Sequence, residues 1–334
     1  MLTILGPCAA ESEEQTLRIA RKLQKYQVTN ANCQLIFRAG VWKPRTSPET
    51  FQGVGDKGLA WLQKVKRETG LPVATEVSTP EQVQKALAAG IDYLWLGART
   101  SANPILVQTL ADSITTGSPK GIFIKNPVNE DAALWIGNIR RLQTTNLPIY
   151  AIHRGCSHRP CWEMAYRLRQ EMPNIPLLLD PSHMSGNAHK VPELCQIAAE
   201  LEYDGLMIEV HDCPIEALSD AQQQIKPEEL DSVYRAFANS ACADVALTLR
   251  WLRRIMDEVD DALWDTIARR MDISRQIGTF KKENNIAVVQ PTRFEDILQK
   301  RLSWAKSQVL SAAAVREIME ALHTESVRQQ VSLT

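Results

Sequence analysis

Arg38-Ala-Gly-Val-Trp-Lys-Pro-Arg-Thr-Ser-Pro48 follows the apolar run Gln34-Leu-Ile-Phe37. The pair reads as a buried strand that runs into a basic, proline-stiffened loop. Arg38, Lys43 and Arg45 put three cations into eight residues. Their mutual repulsion favours a loop that anions occupy, and guanidinium groups suit phosphate and carboxylate bidentately. A solvated basic loop is the plainer alternative, and the rest of the chain decides between them.

Short apolar runs like 34–38 recur up to about residue 240, at 2–5, 73–76, 93–96, 122–125, 149–152, 177–180 and 206–210. Helix-patterned stretches separate them, several opening on a cap or breaker such as Ser12, Pro80, Asn103, Asn129 or Asn187. Eight β/α units of this length predict a TIM (β/α)8 barrel, with a doubly wound sheet as the rival. A barrel places active sites at strand C-terminal ends. Here those ends carry Cys8, Arg38, Glu76, Arg99, Lys125, His153-Arg154, Asp180 with His183, and Glu209 with His211 and Asp212. A random surface would scatter such groups over both rims, so one catalytic mouth is expected.

Two sets stand out at that mouth. Arg38, Lys43, Arg45, Arg99, Lys125 and Arg154 form a lining suited to more than one phosphate. Cys8, His183, Glu209 and Asp220 offer a thiol, an imidazole and two carboxylates, a mixed set for a divalent transition metal. They share no short motif spacing. The other cysteines, Cys33, Cys156, Cys161, Cys195, Cys213 and Cys242, read as packing residues. Gly53-Val-Gly55-Asp-Lys-Gly58 fits a dinucleotide fingerprint, but the preceding strand ends some fifteen residues earlier, so no nucleotide cofactor is expected.

Composition sets the bounds. The 334 residues hold 38 Lys plus Arg against 39 Asp plus Glu, so nothing global suggests nucleic acid or a membrane surface. Seven cysteines without a CxxC pair fit a reducing cytoplasm. No signal-like start or run of eighteen apolar residues is present.

Gly6-Pro7-Cys8, Lys43-Pro-Arg-Thr-Ser-Pro48, Gly97-Ala-Arg99, Asp180-Pro-Ser-His183, Met207-Ile-Glu209-Val-His211 and Ala217-Leu-Ser-Asp220 resemble the type I 3-deoxy-D-arabino-heptulosonate 7-phosphate (DAHP) synthases. The resemblance covers about residues 1–238 and implies a TIM barrel that condenses phosphoenolpyruvate with erythrose 4-phosphate. It also implies that Cys8, His183, Glu209 and Asp220 hold one divalent metal ion of the Mn, Co, Fe or Zn class. Arg38, Lys43, Arg99, Lys125 and Arg154 would then hold phosphoenolpyruvate, and Pro44, Arg45 and Thr46 the aldose phosphate. Related octulosonate phosphate synthases differ where this chain has Lys-Pro-Arg-Thr, which favours the four-carbon sugar. Lys43 is placed to manage a proton; Asp180, His211 or water are alternatives.

Past Ala236-Phe-Ala-Asn-Ser-Ala-Cys-Ala the pattern changes. Leu249, Leu252, Met256, Val259, Leu263 and Ile267 step by three and four, which predicts one amphipathic helix to about Lys282. A brief strand-like run at 286–289 precedes two more helices near 293–307 and 312–330. Three helices in some ninety residues cannot bury their own faces, so a homodimer is expected. At 100° per residue, Arg270 and Lys281 lie within about 20° of each other, whereas Arg253 faces about 100° away. Ser326 and Gln330 share a face.

Leu252-Arg253, Val259-Asp260, Ala268-Arg-Arg270-Met, Ile277-Gly278, Lys281, Arg293 and Ser326-Val-Arg-Gln-Gln330 resemble the all-helical AroQ class of chorismate mutase, over roughly residues 246–332. This implies a pocket of Arg270, Lys281, Arg293, Ser326 and Gln330 that turns chorismate into prephenate, with Arg253 reaching into the partner subunit's pocket. Two positions depart from the class: Gln290 stands where an acid is common, and Phe294 where Glu is common. The expected whole is a bifunctional shikimate-pathway enzyme, with a barrel at 1–240 and a helical domain at 246–334. Its alternative is an active synthase whose helices only regulate or dimerise. Chorismate or prephenate bound at the helices is the expected allosteric signal.

Overall fold

The computed structural model describes residues 1–29, 34–45, 47–114, 119–157, 159–238 and 246–332. Two compact units emerge, Met1–Ile255 and Met256–Thr334. Residues 239–245, which include the segment 241–245 that the sequence reading sets between two domains, lie outside the described residues, as do Cys33, Cys242 and Thr46.

The first unit is a closed barrel of eight parallel strands in sequence order: β1 (Leu2–Gly6), β2 (Gln34–Arg38), β3 (Val73–Glu76), β4 (Tyr93–Leu96), β5 (Gly121–Lys125), β6 (Ile149–His153), β7 (Leu177–Leu179) and β8 (Gly205–Glu209). β1 pairs with β2 through Ile4 and Ile36, and with β8 through Gly6 and Glu209, which closes the ring. Helices α1 (Glu13–Thr29), α2 (Lys57–Thr69), α3 (Pro80–Ala88), α4 (Pro104–Ser113), α5 (Ala132–Gln143), α6 (Trp162–Glu171), α7 (Pro181–Ser185), α8 (Val191–Glu200) and α9 (Leu230–Ala238) fill the intervals.

Strands covered on both sides read as unbroken apolar runs, and their two faces enter different cores. Ile4, Ile36, Ala74, Trp95, Phe123, Ile152, Leu178 and Met207 fill the barrel interior. Their neighbours, among them Leu5, Phe37, Leu94, Ile124, Ala151 and Leu179, pack outward against the helices. Side chains alternate with a period of two along a strand. The interior rows therefore continue at the C-terminal ends into Arg38, Glu76, Lys125, Arg154, Asp180 and Glu209. At Gly6, φ is +148° and an added Cβ would lie 2.0 Å from the Arg38 carbonyl oxygen; only glycine lets β1 pass this close beneath the mouth.

Asn103 caps α4, accepting from the Ile105 and Leu106 N–H groups. Asp131, rather than Asn129, caps α5, because it stands directly before the first helical residue and accepts from Leu134 N–H.

The long helix α10 (Leu247–Glu283) begins in the first unit. Trp251 is only 2% exposed there, packed among Trp162, Tyr166 and Tyr203. In the second unit α10 continues with α11 (Pro291–Ala305) and α12 (Ala312–Val331). The stretch 286–289 is a connection, not a strand; an isolated apolar run has no neighbouring strand to pair with, and Lys281 Nζ holds its Val288 carbonyl at 2.7 Å. Leu249, Leu252, Met256, Val259 and Leu263, the expected apolar stripe of α10, are exposed in the single chain. Among the described residues, no helix is long and apolar enough to cross a membrane.

Candidate active sites in the barrel and in the helical unit

The mouth of the barrel is a cavity of about 450 Å³. All six expected cations line it, Arg38, Lys43, Arg45, Arg99, Lys125 and Arg154, together with Pro44, Glu76, His183, Asp220 and Gln223. Thr46 lies outside the described residues.

Ligand atoms of Cys8, Glu209 and Asp220 lie within 4.8 Å of one another. Cys8 Sγ donates to Asp220 Oδ2 at 2.8 Å, and Lys43 Nζ donates to Cys8 Sγ at 3.0 Å. The fourth expected ligand, His183, stands beside them, with Nε2 3.6 Å from Glu209 Oε1. Asp180 meets His183 Nδ1 at 2.9 Å. A carboxylate there holds the proton on Nδ1, which leaves the Nε2 lone pair facing Glu209. Burial, and next the Glu209 carboxylate, push the Cys8 thiol up to about 12. Burial opposes the Asp220 charge, but His183, the Cys8 thiol, Lys43 and Arg45 together hold that carboxyl well below its usual range. A thiol kept neutral by nearby anions is converted to thiolate by a cation set among them, so this donor set fits a divalent transition metal.

Two neighbours fix these ligands, and neither was read from the sequence. Gln223 Nε2 donates to Glu209 Oε2 at 2.7 Å, while Arg38 Nη2 donates to Glu209 Oε1 at 3.0 Å. Gln224 Oε1 accepts from the Cys8 N–H at 3.0 Å. Both follow Asp220, whose φ of 54° turns the chain; the run Gln222-Gln-Gln224 just after that aspartate is the local signal in the sequence.

The cations are prepared for anions in different ways. Arg38 is 1% exposed with its guanidinium 4.8 Å from the Trp95 ring, and its Nε and Nη1 have no hydrogen-bond partner among the described residues. Lys125 Nζ is bound to Asp180 at 2.8 Å. For Lys43, burial opposes the charge, yet Cys8, Glu76 and Glu209 outweigh it and raise its pKa. Asp180 is thus occupied by Lys125 and His183. His211 does not line the cavity: it is buried near Glu11, its Nε2 3.9 Å from Glu11 Oε2. His153 also turns away, stacked on Tyr203 and edge-on to Trp162. Cys156, Cys161 and Cys195 are buried, whereas Cys213 is half-exposed on the loop after β8 and is not a core residue.

The second unit has its own cavity, of about 360 Å³, lined by Arg270, Lys281, Gln290, Arg293, Ser326 and Gln330 with Ser274, Phe294 and His323. Arg270 Nη1 donates to the Ser326 hydroxyl and to the Leu322 carbonyl, the latter at 3.1 Å. Gln290 precedes α11 without capping it, so its side chain is not committed to the helix end. Phe294 stacks on His323 with centroids 4.1 Å apart. Arg253 is exposed, earlier on α10, and does not line this cavity.

A parallel barrel with a thiol–carboxylate cluster beside a basic mouth, and a helical unit with a second basic pocket, give the chain two candidate sites whose charge suits anions. The DAHP synthetase I family model matches residues 1–147 and 151–242, and the chorismate mutase type II model matches residues 252–331. The chain belongs to the DAHP synthetase I family and carries a C-terminal chorismate mutase type II domain. A phospho-2-dehydro-3-deoxyheptonate aldolase of Thermotoga maritima is 29% identical over 240 residues, spanning 66% of this chain and 64% of that protein. A 2-dehydro-3-deoxyphosphooctonate aldolase of Desulfatibacillum aliphaticivorans is 31% identical over 257 residues, 70% of this chain and 89% of the relative. The solved structure of a DAHP synthase from Thermotoga maritima superposes with a TM-score of 0.61 at 25% identity, covering 71% of this chain and 68% of that one.

Proposed function

We propose that the barrel condenses phosphoenolpyruvate with erythrose 4-phosphate to DAHP and phosphate, and that the helical unit rearranges chorismate to prephenate, in a cytoplasmic homodimer. The observation that carries the barrel reading is Cys8, Glu209 and Asp220 converging within 4.8 Å, with Asp220 on the wall of a cavity lined by six cations. Cys8, His183, Glu209 and Asp220 would hold the divalent metal, which supplies Lewis acidity toward the aldehyde when bound. Arg38, with two unpartnered N–H-bearing nitrogens, joins Lys43, Arg99, Lys125 and Arg154 in fixing the phosphate and carboxylate of phosphoenolpyruvate. Pro44, Arg45 and Thr46 take the aldose phosphate. This orients carbon 3 of the enol for attack on the aldehyde; water then adds at carbon 2, and the hemiketal loses phosphate. Lys43, kept charged beside Cys8 and Glu76, holds a proton for the oxygen that becomes a hydroxyl.

In the helical pocket Arg270 and Arg293 fit the two carboxylates of chorismate, with Ser326 and Gln290 at its polar edge. Lys281 and Gln330 stabilise the ether oxygen as its bond to carbon breaks. The exposed apolar stripe of α10 supports a second copy packing there, and that copy would supply Arg253.

Seven-carbon and eight-carbon products differ by one carbon in the aldose that joins the three-carbon enol. The test offers purified, metal-loaded protein erythrose 4-phosphate and a five-carbon aldose phosphate in separate assays of phosphoenolpyruvate loss. Consumption that depends on the four-carbon sugar is expected. Preference for the five-carbon sugar would overturn the reading of Lys43-Pro-Arg-Thr46.

A further inference from the structure

Gln330 rests in a seat formed by one face of α10. A Cβ added to Gly278 would lie 3.0 Å from both Cα and Cγ of Gln330, so the two helices meet closely at this glycine. One turn earlier on the same face, Gln330 Nε2 donates to Ser274 Oγ at 3.0 Å, and Ser274 Oγ donates to the Ser326 carbonyl at 3.2 Å. Ser274, Ser326 and Gln330 are all buried.

The direction of this chain is fixed by proton counting. A hydroxyl carries one proton, and a carbonyl only accepts. With its proton given to Ser326, Ser274 can only accept from Gln330, so the amide must turn its nitrogen toward Ser274. Among the described residues nothing else sets that choice: Gln330 Oε1 is buried with no partner there. Among the described residues the second N–H of the amide also makes no hydrogen bond. The ether oxygen of chorismate only accepts, so an amide turned over by half a rotation would oppose an oxygen to it.

We propose that Ser274 is a positioning residue of the helical pocket: its hydroxyl, oriented by the Ser326 carbonyl, selects the one orientation of the Gln330 amide that keeps an N–H available for substrate. This rests on the mutase reading above. Neither family resemblance nor residue periodicity marks Ser274; the hydrogen-bond direction does.

The test is a double-mutant cycle on the full-length protein with Ser274→Ala, Gln330→Ala and the pair, assayed by chorismate loss. Ser274→Ala is expected to lower kcat by about tenfold with KM nearly unchanged, because the cations that bind the carboxylates remain. In the Gln330→Ala background the same substitution is expected to change kcat by less than about twofold, since no amide is left to orient. Equal losses in both backgrounds, or no loss in the native one, would overturn the proposal. So would a Ser274→Ala protein that loses helix content or melts below the assay temperature, which would make the hydroxyl a structural tie. A native protein that leaves chorismate untouched would end the mutase reading and this inference with it, and that result is distinguishable because no variant is needed to see it.

Discussion

His153 and Arg154 are adjacent in the chain and have opposite surroundings. Arg154 continues the interior row of β6 into the mouth; His153 turns outward, where its Nδ1 lies 2.8 Å from the Tyr203 hydroxyl. Burial holds its pKa down to about 3, from 6.5. The imidazole is therefore neutral in the fold, while the unfolded chain takes up its proton as pH falls through 6.5. Stability is lost on acidification, by up to about 1.4 kcal/mol per pH unit below that value. Between pH 6.5 and about 5, the melting temperature of the native protein should fall more steeply than that of a His153→Phe variant. Parallel slopes would show that His153 is already charged or exposed. The sequence reading set His153 at the rim beside Arg154 because it counted strand ends without their parity. Alternation from Ile152 would have separated the two. Gln223 and Gln224 were less legible, since their hydrogen bonds to Glu209 and Cys8 depend on where the chain folds back after Asp220.

Among the elements, the strands were the most legible, because burial on both faces makes apolar runs with sharp ends. Their predicted limits differ from the observed ones by a residue or so. The run 286–289 shows the limit of that signal: apolar content without a pairing neighbour gives a connection. α10 was legible as a helix, and its stripe as an uncovered face. In the proposed homodimer, Arg253 of one copy completes the pocket of the other, which a mixing experiment can test. Arg253→Ala and Lys281→Ala proteins should each be poor mutases, and mixing them under conditions of subunit exchange should restore part of the activity. A hybrid dimer then has one pocket with both native residues and one with neither. No recovery despite demonstrated exchange would mean that Arg253 acts within its own subunit or not at all.

For the whole molecule, the first turns of α10 belong to the barrel. Trp251 closes the aromatic cluster over His153 and Trp162, so a cut before Leu247 should cost the barrel about 3–5 kcal/mol. A cut after Ile255 should leave its melting transition nearly unchanged. Equal stability of the two truncated proteins would show that Trp251 adds nothing to the barrel. The longer form is also the one in which to look for feedback: if prephenate acts through the helical pocket, it should inhibit condensation by the full chain and not by 1–255.

The central claim is that one chain carries two chemistries with separate requirements. The most direct measurement follows phosphoenolpyruvate loss with erythrose 4-phosphate, and chorismate loss, on a single metal-reconstituted preparation before and after chelation, with Cys8→Ala in parallel. The account predicts both activities at the start, loss of condensation on chelation or in Cys8→Ala, and chorismate rearrangement nearly unchanged in each case. Condensation that survives complete chelation, or rearrangement that disappears with the metal, would contradict it.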